Sequence, residues 1–70
     1  MRYLVVIEKT RTGFSAYSPD LDGCVAVGTT REDAERNMRE AIEIHLEGLR
    51  EDGIDAPPPT ASSTYVEIPA

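Results

Sequence analysis

Four carboxylates, at Glu8, Asp20, Asp22 and Glu67, are the side chains best suited to joint chemistry. Clustered oxygen ligands hold hard divalent cations, and such a cation can activate water against a phosphodiester. The plainer reading puts Glu8 and Glu67 at solvent-facing strand positions, and Asp20 and Asp22 in a turn, where aspartate is an ordinary residue. Cys24 and His45 could form a nucleophile–base pair. A free cysteine, however, behaves as a small buried hydrophobe, and His45 falls within the apolar stripe of a helix, where burial or an interface accounts for it. One cysteine and one histidine exclude an intrachain disulfide, and the pair alone cannot build a structural zinc site. No G-x-S-x-G, P-loop or H-E-x-x-H motif is present. Ser62-Ser63-Thr64 reads as polar connecting chain. The expectation is a binding module rather than an enzyme, with no metal and no cofactor.

The elements that must carry these residues are legible from spacing. Residues 2–8 read as a first strand rich in Val, Ile and Tyr, with Tyr3, Val5 and Ile7 on one face and Leu4 and Val6 on the other. Lys9 to Gly13 is a polar hairpin loop. Residues 14–18 return as a second strand, stopped by Pro19, which lacks the N–H that a ladder needs. Ser18-Pro19-Asp20-Leu21-Asp22-Gly23 is a compact turn. Residues 24–29 form a third strand, Val25 and Val27 facing one way and Cys24 and Ala26 the other, and Gly28 marks a bend or a close backbone approach.

A helix over residues 31–51 follows. Thr29 with Glu32, or Thr30 with Asp33, offers a capping box. Ala34, Met38, Ala41, Ile42, His45, Leu46 and Leu49 gather on one stripe at about 100° per residue. Glu32–Arg36 and Glu35–Arg39 are spaced as i,i+4 ion pairs, and Gly53 is a stop signal. Residues 55–63, with Pro57-Pro58-Pro59, form a stiff linker. Residues 64–68 complete the chain as a fourth strand, Val66 and Ile68 opposite Tyr65 and Glu67.

The fold class is therefore α+β in the order β-β-β-α-β, a three-to-four-stranded, mainly antiparallel sheet with the helix packed on one face. One helix cannot cover both faces of a strand that is apolar on both. Tyr3, Leu4, Val6, His45 and Ile44, the last lying off the helical stripe, are therefore candidate partner or self-association positions.

Seventy residues make a single domain with a thin core, burying roughly 60% of its unfolded surface, and a domain this small without staples leans on oligomerisation. The self-contact expected is a dimer or a tetramer. Thirteen acidic residues against seven basic ones give a net charge of −6, which disfavours phosphate neutralisation and so direct nucleic-acid binding. The same charge attracts a basic protein partner. The longest apolar run, Leu4 to Ile7, is far too short to span a bilayer, and no secretory signal opens the chain, so a cytoplasmic location is expected.

Pro19-Asp20-Leu21-Asp22-Gly23-Cys24, followed by Gly28-Thr29-Thr30 and Glu32-Asp33-Ala34, resembles the signature of the HicB-like antitoxin family, which reads P-D-L-P-G-C and then G-x-T before an acidic pair and alanine. Ala41-Ile42, His45-Leu46-Glu47-Gly48-Leu49, Asp52-Gly53 and the proline-bearing linker also fit, so the resemblance runs over nearly the whole chain. Asp22 departs from it by replacing the second proline of the turn. The resemblance implies a partial RNase H-like fold without a working nuclease site, and a partner that is a small basic HicA-type toxin cleaving mRNA. Many members add a C-terminal DNA-binding segment; this sequence resembles a short form without one, which would not bind its operator. The alternatives are an orphan oligomeric domain of the same family and, less favoured, a metal-dependent nuclease using Asp20 with Glu8 or Glu67.

Overall fold

A computed structural model describes residues 1–70. Its elements are β1 (Val6–Lys9), β2 (Phe14–Tyr17), β3 (Val25–Gly28) and α1 (Arg31–Glu51), in that chain order. The three strands form one antiparallel sheet with β2 in the centre. The fold is α+β, as the spacing predicts, and the helix has the expected bounds.

The cross-strand register explains which residues are covered. Ile7 sits opposite Ala16 and Ala16 opposite Ala26, and this row faces the helix. Val6, Tyr17 and Val25 form the neighbouring row on the far face, followed by Glu8, Ser15 and Val27. The core is small: Ala16, Leu21, Cys24, Ala34 and Met38, with Tyr3, Val5, Ile7, Phe14, Ala26, Ala41, Ile42 and Leu46 packed around it.

The helix is well bounded. Thr30 is the N-cap, its Oγ1 accepting from the Asp33 N–H at 3.0 Å, so the second of the two predicted boxes is the one used. The Asp33 carboxylate does not return to the cap. It accepts instead from the Thr29 hydroxyl at 3.0 Å and from Arg36 at 2.6 Å. Arg36 is thereby taken at i,i+3, and neither predicted i,i+4 pair forms; the Asp33 carboxylate, one turn back and already held by Thr29, is the partner it takes. At the other end the Gly53 N–H reaches the Arg50 carbonyl and the Ile54 N–H the Leu49 carbonyl, a Schellman closure with Gly53 at φ +70°.

The strands differ from expectation: β1 ends at Lys9 rather than residue 8, β2 ends at Tyr17 rather than residue 18, and β3 is Val25–Gly28 rather than residues 24–29. β1 begins at Val6 rather than Arg2, because its partner β2 ends at Tyr17 and Pro19 turns the chain away before it can pair with Met1–Val5. The expected fourth strand over residues 64–68 does not form. The connection before it is held to the body, the chain then runs outward, and Tyr65, Val66 and Ile68 are exposed. The molecule measures 49 × 26 × 16 Å with a radius of gyration of 13.8 Å, against about 11 Å for a compact chain of this length.

Candidate partner-binding faces

The signature turn is a structural latch. Leu21 turns into the core, almost fully buried, while its N–H bonds the Ser18 carbonyl and its own carbonyl accepts from Cys24. Gly23 takes a left-handed φ of +74°, which a side chain at that position would strain. Asp20 points the other way. Its carboxylate accepts from the Thr60 N–H at 3.2 Å, the Thr60 hydroxyl at 3.1 Å and the Ala61 N–H at 3.1 Å. The Tyr3 hydroxyl adds a 2.6 Å bond to the Pro57 carbonyl. The stiff linker read from the sequence is pinned at both ends of residues 57–61. The proline run was a visible cue to stiffness; nothing in it showed where the run docks.

The latch engages one of the four carboxylates. Asp20 is committed to the linker, and no group of three metal-capable side chains gathers with Glu8, Asp22 or Glu67. Cys24 is buried, and that desolvation pushes its thiol above the usual cysteine value, away from a nucleophilic thiolate. His45 is half-buried at the edge of a shallow hollow that also holds Asp20, Asp22 and Asp55.

The candidate interface residues divide between surfaces. Tyr3 packs against the core. Leu4 and Val6 are half-buried outside the core cluster, and Val6 stands on the far sheet face with Tyr17, Val25 and Val27. That face has no helix over it: Val25 is 65% exposed and Val27 70%. Ile44 is 70% exposed on the helix, and the sheet lies between that helix and the Val6 row. The structure therefore does not gather Ile44 and Val6 into one patch. Val25 and Val27 are the surface residues that sequence reasoning missed. Their common strand face was legible, but that the helix would cover the other one was not.

The site geometry is thus a thin antiparallel sheet backed by one helix, with an uncovered apolar face on the other side. Residues 3–70 match the family described as HicB_like antitoxin of bacterial toxin-antitoxin system, and the chain belongs to that family. It is 34% identical to antitoxin HicB 2 of Photorhabdus laumondii over 71 residues, covering all of this chain and 51% of the relative. It is 36% identical to an uncharacterised 14.9 kDa protein of Haemophilus phage HP1, covering 99% of this chain and 52% of that one. The chain thus spans about half the length of these two relatives. Among solved structures, it matches a HicA3 and HicB3 toxin-antitoxin complex at 42% identity with a TM-score of 0.72, covering 84% of this chain and 70% of the matched one. No helix is long and apolar enough to cross a membrane.

Proposed function

We propose that this chain neutralises a small basic HicA-type mRNA interferase by binding it, acting as a binding protein and not as a catalyst. The observation that carries this reading is the similarity to a chain of a HicA3–HicB3 complex at 42% identity over most of the domain. The physical chemistry agrees with it. A surface of net charge −6 competes with RNA for a basic protein, and the uncovered sheet face bearing Val6, Tyr17, Val25 and Val27 supplies the apolar centre that a stable interface needs. Leu4, which lines the groove between Met1–Val5 and the helix, and Ile44 and His45 on the helix are separate proposed contact positions.

The test is inhibition of RNA cleavage by a purified HicA-type toxin from the same genome, titrated with this chain. Stoichiometric inhibition supports the reading. Val25→Asp and Val27→Asp, at exposed positions where the free fold is not at stake, should each weaken binding by tenfold or more. Full cleavage at a large excess of the chain would overturn it.

A further inference from the structure

Gly48 costs the helix stability and serves nothing inside the chain. It lies within α1 at an ordinary negative φ, and a Cβ built there meets nothing within 4 Å. Glycine is the poorest helix former after proline, so neither a turn nor close packing within the fold accounts for it. One turn earlier stands Ile44, 70% exposed.

The charges around these two residues are of one sign. At about 100° per residue, Glu40, Ile44 and Gly48 form one i,i+4 ridge, and Glu47 and Glu51 form the ridge beside it. The five fall within an arc of about 100° and span about 16 Å of helix. All three glutamates are exposed and free of ion pairs, since the chain's salt bridge joins Arg36 to Asp33. Asn37, two turns before Ile44 on the same line, donates to the Val27 carbonyl at 2.8 Å. This face therefore overhangs the β3 edge, on the flank away from the groove at Met1–Val5.

A glycine beside an exposed isoleucine sets a notch next to a knob. A ridge of a second helix seats in such relief, and the missing side chain lets the two axes approach closely. Charge decides whose helix it is. A second copy would bring its own glutamates against these and be repelled, and the phosphates of a nucleic acid are repelled by the same sign.

We propose that the face formed by Glu40, Ile44, Glu47, Gly48 and Glu51 binds a basic amphipathic helix of a partner protein. The partner's apolar or small-residue seam crosses at Gly48, and its lysines or arginines meet the three glutamates. The sheet stands between this face and the row bearing Val25 and Val27. The site therefore stays open when the proposed toxin face is occupied, and the domain joins two proteins at once.

The test uses the full chain without toxin, so its outcome is separate from that of the antitoxin reading. The probe is a labelled peptide of about 18 residues, long enough to be helical, with an alanine and leucine seam flanked by lysines. Fluorescence anisotropy at about 0.1 M salt should show saturable binding. Ile44→Ser and Glu47→Lys should each weaken it about tenfold or more. Gly48→Leu should do the same by filling the notch, while raising the thermal stability of the helix, a pair of shifts that damage to the fold does not produce. Val25→Asp should leave the affinity unchanged. No binding overturns the proposal, as does equal binding of a scrambled peptide of the same composition, which would be charge attraction alone. An indifferent Gly48→Leu overturns it too, and so does a loss on Val25→Asp, which would place the peptide on the sheet face.

Discussion

The two sides of this small sheet are finished differently. On the β3 side the helix comes down so closely that a Cβ on Gly28 would strike the Ala34 nitrogen, with the Asp33 carbonyl carbon at 2.8 Å and the Ala34 Cα at 2.9 Å. Asn37 then caps the strand's outer carbonyl. On the β1 side the helix stands away, five residues precede the ladder without backbone partners, and a pinned linker forms the far wall of a groove. One edge is closed by short-range contacts within the chain. The other is prepared but left open. The comparison sets close backbone packing on the β3 side against unpaired backbone on the β1 side.

The largest effect should follow from breaking the closed side. Gly28→Val forces backbone apart where nothing flexible can yield, and should cost about 3 kcal/mol or prevent folding. Gly28→Ala meets the same atoms with its Cβ and should cost more than about 1 kcal/mol. Urea melts of both variants measure this. An alanine variant as stable as wild type would show that the helix can slide outward, and the contrast between the two sides would lose its basis.

On the open side, Asp20→Ala should cost about 1–2 kcal/mol, because three donors in the linker lose one shared acceptor. The effect should be local. Amide exchange should rise at Thr60 and Ala61, while Ala34 and Met38 keep their protection. Faster exchange throughout the chain would mean that the latch belongs to the core and not to the open edge.

Helix capping lies at the closed side and gives a smaller effect. Thr30→Ala removes the acceptor for the Asp33 N–H and should cost about 1 kcal/mol. Asp33 itself supplies a pH signature. Its hydrogen bonds from Arg36 and Thr29 hold its carboxyl below the ordinary value of 3.8. A depressed carboxyl contributes stability that is present above its unfolded value and is lost as the pH falls through the lowered folded value. Thermal melts of wild type and Asp33→Asn should therefore differ at pH 6 and converge as the pH drops below about 4. A difference that is independent of pH would remove the charge from the account.

How much of this was legible in the sequence follows the range of the interactions. The helix bounds were readable because Thr30, Gly53 and the 3.6-residue stripe act within a turn or two. The strand faces were readable from alternation, and the turn from Pro19 and Gly23. The docking of Asp20 on Thr60 and Ala61 spans some forty residues and leaves no periodic trace. The fourth strand was readable as strand-forming sequence in Thr64–Ile68, but not as an unpaired one, since propensity says nothing about which edge, or whose, a strand will join. The apolar face bearing Val25 and Val27 was visible as a face. Its exposure was decided by which side the helix took.

The smallest expected effect tests the joint between the two sides. Ser18 sits where β2 leaves the sheet, its carbonyl accepting from Leu21, and its side chain is buried with no hydrogen-bond partner at Oγ. A hydroxyl removed from water without a partner opposes folding, while its methylene still fills space. Ser18→Ala deletes the orphaned oxygen, keeps the Cβ, and leaves the Leu21 bond untouched because that bond uses the backbone. The expected change is within about 0.5 kcal/mol of zero, or stabilising, read as a shift in the urea midpoint with unchanged slope. A loss greater than about 1 kcal/mol would show that Oγ is satisfied in solution by a bound water. The turn would then be a hydrated joint that can flex, and the latch carrying Asp20 would rest on a movable base.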